Sequence, residues 1–255
     1  MDESNEGTRE ERVFRMWMNS LGIEGLRHIQ NLFEDCRDGL ALLKTLDRIE
    51  PGCVDWKNRK INKRPKNKYH RVENCDMCIK IGKIMSFSLV GIGGGDLERG
   101  NHKLTLALVW QMLRKYQIDL LTRLGGGKKI QENEIRKWAN KKANKSGKKI
   151  SSFSDTKSLR DGRFLLQIVE SIEPRAIDWS FMNEGKTKAQ RKENAKYVIT
   201  CARKIGAVVF VTFEDIVEVK PKMILLLIAS LMAVDMGFDE VDGAAEDIDI
   251  VDDDE

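Results

Sequence analysis

Leu104-Thr105-Leu106-Ala107-Leu108-Val109-Trp110-Gln111-Met112-Leu113 and Met223-Ile224-Leu225-Leu226-Leu227-Ile228-Ala229-Ser230-Leu231-Met232 are two apolar runs lying 119 residues apart. Each is apolar nearly all round, the pattern of a helix enclosed by other elements of its domain. Neither approaches the roughly 18 uninterrupted apolar residues of a membrane span. Pro221 opens the second run at a first helical position, where its missing N–H costs no hydrogen bond.

Other landmarks repeat on either side of these runs. Asp38-Gly39 recurs as Asp161-Gly162, Ile49-Glu50-Pro51 as Ile172-Glu173-Pro174, and Val54-Asp55-Trp56 as Ile177-Asp178-Trp179, all at an offset of 123. With small slips Trp17 pairs with Trp138, Glu73-Asn74 with Glu193-Asn194, and Ile81-Gly82 with Ile205-Gly206. Landmarks in one order at nearly one offset mark a duplication. Within a copy the signals are helical. Phe14, Trp17, Met18 and Leu21 form one stripe at helical spacing, with Arg12, Arg15 and Asn19 outside it and Gly22 at the stop. Leu40–Leu46 and Val72–Ile84 read as further helices, separated by Pro51-Gly52. Four prolines in 255 residues, and few alternating strand patterns, argue against an all-β chain. The sequence therefore predicts an all-α chain with one domain over residues 8–124 and a second over 131–236. Between them lies the glycine- and lysine-rich joint 125–130, and Lys141–Lys149 forms a basic loop after the first helix of the second copy.

The net charge of +4 conceals a segregation. Asp239–Glu255 holds ten acidic residues and no basic one, which leaves 44 basic against 30 acidic side chains elsewhere. That acidic end reads as a solvated, disordered tail, or as a segment that folds back on the basic body. A basic body attracts acidic partners through a salt-sensitive field, and charge alone does not choose among a filament, a nucleic acid and an anionic membrane. The acidic N-terminus resembles neither a secretory signal nor a transit peptide.

Chemistry-bearing motifs fail on inspection. Gly91-Ile92-Gly93-Gly94-Gly95-Asp96 departs from a phosphate loop at Asp96 and follows no strand; it reads as a turn that lets a loop pack. Asp247-Ile248-Asp249 lacks the glycine and glutamate of a calcium loop. Cys75 and Cys78 have metal-ligand spacing, but no second pair accompanies them among five cysteines and three histidines, so reduced thiols, in the core or at the surface, are expected. His102, beside Asn101, reads as capping or exposed, and no nucleophile or carboxylate constellation is present. The five tryptophans fall at repeat positions with apolar spacing and are expected to pack the cores. No catalytic residue, cofactor or metal is expected, and the chain is read as a binding module rather than an enzyme.

Phe14–Gly22, Phe87–Gly94 and Leu104–Gln111 resemble calponin-homology domains, and more closely the third such domain of the fimbrin (plastin) family. Asn194-Ala195-Lys196-Tyr197, Ala202–Ala207 and Glu214–Met223 resemble the fourth. The resemblance implies two all-α domains of four main helices each, plus shorter connecting ones. It also implies filamentous actin as partner, no catalysis, and a cytoplasmic, cytoskeletal setting; no nucleic acid or membrane partner is expected, and a monomer is. Its actin-facing helices correspond to about 11–20, 104–124 and 132–142. Their apolar residues must serve the cores, which leaves as candidates Arg12, Arg15, Gln111, Arg114, Lys115, Tyr116, Arg136, Lys137, Asn140 and Lys141. Arg114-Lys115-Tyr116 stands out because it closes an otherwise buried helix with charge. Calcium-binding hands and a first actin-binding pair, usual upstream in the family, do not occur in this sequence, which reads as a fragment of a bundling protein or a reduced relative. A binder of another acidic polymer such as a microtubule, or a signalling adaptor on the same fold, remains the alternative.

Overall fold

The computed structural model describes residues 3–58 and 60–237; the acidic stretch 239–255 lies outside the described residues. Every regular element among them is helical. The chain divides into two compact units, Met1–Tyr116 and Gln117–Glu255. The first contains α1 (Glu3–Ser20), α2 (Leu32–Asp35), α3 (Leu40–Ile49), α4 (Lys68–Ile84), α5 (Gly94–Glu98) and the start of α6 (His102–Leu124). The second contains α7 (Glu132–Lys142), α8 (Thr156–Leu159), α9 (Arg163–Ile172), α10 (Lys188–Lys204), α11 (Phe213–Val217) and α12 (Pro221–Asp235), with single 3-10 turns at Asn144–Ser146, Pro174–Ala176 and Trp179–Phe181.

α12 is the enclosed helix of its unit: eleven consecutive residues, Met223 to Ala233, are buried. In α6 the residues Leu108, Val109, Met112 and Leu113 are fully buried, while Leu104, Ala107 and Trp110 are only partly covered. The α1 stripe forms as its spacing predicts, with Phe14, Trp17 and Met18 at 0% exposure. Exposed Arg12 takes the opposite face.

Polar side chains tie the loops down in the same way in both units. Buried Asn74 accepts from the Asn62 N–H (2.7 Å) and donates to the carbonyls of Asp38 (2.8 Å) and Asn62 (3.0 Å). Buried Asn194 accepts from the Asn183 N–H (2.9 Å) and donates to Asp161 (2.9 Å) and Asn183 (3.1 Å). A carboxamide suits this task because it offers two donors and an acceptor from one planar group. Gly39 starts α3 at φ 76° against Asn74, and a Cβ there would come 2.7 Å from the Asn74 Cβ. The recurring Asp-Gly marks this left-handed crossing point of loop and helix.

Two expectations need correction. α4 and α10 are both 17 residues long and start 120 residues apart, so Gly82 is equivalent to Ala202, and Gly206 to Ser86. Pairing Ile81-Gly82 with Ile205-Gly206 slips by one helical turn. The true equivalence is visible in the closing hydrogen bonds, Phe87 N–H to the Gly82 carbonyl and Ala207 N–H to the Ala202 carbonyl. Both chains leave the helix through a left-handed residue, Ser86 (φ 63°) in the first unit and Gly206 (φ 87°) in the second. The tryptophans also divide. Trp17 is fully buried, but Trp56, Trp138 and Trp179 are half-exposed and donate their indole N–H to Asp47 (2.8 Å), Asp235 (3.0 Å) and Glu170 (2.7 Å). Those three serve as polar-tipped pins rather than enclosed core.

Within the glycine run 91–95, Gly94 is the position that packing requires. A Cβ on Gly94 would lie 2.7 Å from the Asp76 backbone nitrogen, and the Asp76 carboxylate accepts the Gly94 N–H at 2.8 Å. α5 can approach α4 this closely only without a side chain.

Candidate functional site

The sequence candidates lie on α1 and the start of α6 in the first unit, and on α7 in the second. On α1, Arg12 is exposed, whereas Arg15 is half-covered with its Nε 3.0 Å from the Glu11 carboxylate. Glu11 also receives the Leu32 N–H at 3.2 Å, so Arg15 belongs partly to the seat of α2. One turn beyond Arg12, the structure adds an apolar residue to the polar candidates. Met16 is 49% exposed, one of a few large apolar side chains in that state. Its position off the Phe14-Trp17-Met18-Leu21 stripe was the available signal.

On α6 the trio Arg114-Lys115-Tyr116 separates. Arg114 is exposed. The Lys115 ammonium sits 2.7 Å from the Glu50 carboxylate with 20% of its side chain exposed. Tyr116 is half-buried, its ring tilted at 55° with its centroid 6.0 Å from that of Trp17. Gln111 is also half-buried. Lys115 and Tyr116 thus spend much of their surface holding α6 to its own unit.

On α7, Lys137 and Lys141 are exposed and lie one turn apart, with Arg136 half-covered beside them. Asn140 has a different job. Its amide donates to the Ile150 carbonyl (3.0 Å) and accepts the Ile150 N–H (2.8 Å). Asn19 does the same with Ile29 at 3.0 and 2.9 Å, so both residues clamp the loop after the first helix of a copy. Lys145 and Lys149, exposed on that loop in the second unit, add two cations shortly after α7 and were not among the sequence candidates.

Cys75 and Cys78 are held in the protonated thiol form. Burial, reinforced by Asp38 and Asp76, pushes Cys75 up to about 12, and burial raises Cys78 well above its ordinary value. A thiol kept protonated is neither a ready metal ligand nor a nucleophile. No cluster of His, Cys, Asp and Glu suited to a metal occurs among the described residues, and no helix among them is long and apolar enough to cross a membrane. His102 stacks on Phe33 with ring centroids 3.8 Å apart, after Asn101, whose side chain accepts the Leu104 N–H at 3.1 Å.

A family model described as the calponin homology (CH) domain matches the chain twice, over residues 8–118 and 129–237. Fimbrin-4 of Arabidopsis thaliana is 45% identical over 236 residues, 90% of this chain and 35% of that protein. Plastin-3 of Danio rerio is 43% identical over 233 residues, 88% of this chain and 36% of the relative. The crystal structure of the actin-crosslinking core of Schizosaccharomyces pombe fimbrin superimposes with a TM-score of 0.80 at 41% identity, covering 89% of this chain and 48% of that one. The chain therefore spans about a third of the length of the curated relatives it matches.

Proposed function

The chain belongs to the calponin homology family, carrying two of its domains in tandem, and from that premise we propose that it is the actin-filament-binding module of a fimbrin- or plastin-like crosslinking protein, without catalytic activity. The observation that carries this reading is the 41% identity, over an alignment covering 89% of this chain, to a structure described as an actin-crosslinking core.

The surface supports it in kind. Arg12, Arg114, Lys137 and Lys141 present exposed cations on the three helices named above. They steer the module toward an acidic filament and align it there. Met16 supplies what charge does not, an apolar group that loses water when covered; such groups carry most of the affinity at the centre of a contact. Arg15, Gln111, Lys115, Tyr116 and Arg136 contribute from half-covered positions, and Asn140 acts by shaping the loop beside them.

Co-sedimentation with filamentous actin at low and high centrifugal force, each at low and physiological salt, tests the proposal. Binding that pellets only with filaments at high force identifies a side-binding module. Pelleting at low force as well identifies a bundling one. No pelleting under any of these conditions would refute actin as the partner.

A further inference from the structure

α12 ends at Asp235, and Gly237, at φ 91°, takes the chain out of the helix. Asp235 fixes where that exit lies. Its carboxylate receives the Trp138 indole N–H at 3.0 Å and pairs with the Lys142 ammonium. The chain therefore leaves α12 beside the C-terminal half of α7. Lys137 and Lys141 each precede one of these contact residues by a single position, so their exposed ridge runs next to the exit.

This neighbourhood is strongly basic. Residues 128–149 hold nine basic side chains against two acidic ones. Lys142 and Lys148 are paired with Asp235 and Asp161. Arg136, Lys137, Lys141, Lys145 and Lys149 are held in no ion pair of the kind that engages Lys142 and Lys148 among the described residues. The stretch that follows the exit carries ten acidic residues and no basic one between 239 and 255. Eighteen residues, 238–255, can reach up to about 60 Å when extended. α7 is only about 16 Å long, so reach does not limit the meeting.

We propose that the acidic segment 239–255 pairs with the basic face formed by Lys137, Lys141, Lys145 and Lys149, and thereby competes with an acidic filament for α7. The competition half rests on the proposed actin-binding function; the pairing half does not. Charge pairing of this kind needs no single conformation, and it weakens as salt shortens the range of the field, about 8 Å at physiological ionic strength.

Three forms decide it: the whole chain, the chain ended at residue 238, which keeps every described helix, and the whole chain with its ten C-terminal acids changed to Asn and Gln. A synthetic peptide of residues 239–255 is titrated into the shortened form while backbone amide resonances are followed. The expected result is shifts at Lys137, Lys141, Lys145 and Lys149 that fade as salt rises. In filament co-sedimentation at low salt, the shortened and neutralised forms bind about three- to tenfold more tightly than the whole chain, and the gap closes at high salt. Amide shifts elsewhere, or none, would overturn the pairing. Shifts on α7 with equal filament binding by all three forms would overturn the competition. If no form binds filaments, the proposed function fails while the amide map still decides the pairing.

Discussion

Asn74 and Asn194 provide one experiment in duplicate. Changing Asn74 to Ala removes three hydrogen bonds of 2.7 to 3.0 Å from a fully buried position. At about 1 kcal/mol net each, the loss is about 3 kcal/mol. The stranded Asn62 N–H adds its own penalty for staying dry, which sets the upper end near 5 kcal/mol. The carbonyls of Asp38 and Asn62 add less, because each keeps a second lone pair for water or a neighbour. Asn194→Ala should cost slightly less, since its bonds run from 2.9 to 3.1 Å. Urea unfolding followed by tryptophan fluorescence, with an m-value in the usual range for small domains, should show a midpoint lower by roughly 2 M. Hydrogen exchange gives the local readout: the Asn62 amide should lose protection in the first variant and the Asn183 amide in the second. Asn74→Asp discriminates the mechanism, because a carboxylate there would put an oxygen against two carbonyls and should cost at least as much as Ala. Losses below 1 kcal/mol at both sites, or an Asp variant as stable as the parent, would refute the view that these amides hold the loops.

Four further expectations are tied to single sites. Ser86→Gly should stabilise the chain by about 0.5–1 kcal/mol, as the exposed Ser86 sits at φ 63° and relief of left-handed strain exceeds the added entropy of an unfolded glycine; thermal unfolding checks this, with Gly206→Ser moving the other way. The Arg71 guanidinium, bonded to Glu98 at 2.8 and 3.1 Å, holds the Glu98 carboxyl below its ordinary value. Its stabilising contribution is thus present above the unfolded pKa near 4.3 and is lost as pH falls through the lower folded value; a Glu98→Gln variant should show a flatter acid limb in pH-dependent unfolding. Cys53, half-exposed and pushed up to about 11 by burial and by Asp47 and Glu50, should react with a thiol reagent at pH 8 about 200-fold more slowly than free cysteine, and the other four only after unfolding. Arg114→Glu and the pair Lys137→Glu with Lys141→Glu should each weaken filament binding at least tenfold in co-sedimentation, the lysine pair with an unchanged urea midpoint, whereas Lys115→Glu should also lower stability by breaking its contact with Glu50.

Much of the architecture was legible along the chain because it is written in local periodicity. The stripe Phe14, Trp17, Met18 and Leu21 needs only a 3.6-residue repeat to announce a buried helix face, and the two apolar runs announce enclosed helices by having no polar face to expose. Duplication was equally legible, since Asp-Gly and Glu-Pro mark backbone events that each copy must repeat. The site was less so. Exposure of Arg12, Lys137 and Lys141 follows from helix phase, but the engagement of Lys115 by Glu50, and of Asn140 by Ile150, joins residues that no helical repeat relates. No local rule tells a free amide from a committed one.

The clearest contrast lies in two tryptophans at equivalent positions. Sequence alone determines that Trp17 and Trp138 each stand on the inner face of the first helix of a copy. The element packed against that face decides what each does there. The enclosed helix presents Tyr116 to Trp17, a ring contact that leaves the buried indole N–H without an acceptor among the described residues. At the equivalent place in the second unit it presents Asp235, which takes the Trp138 N–H and the Lys142 ammonium together. Helical periodicity sets which way a side chain points, but its partner is set by packing between elements a hundred residues apart, and only the tertiary structure brings those together.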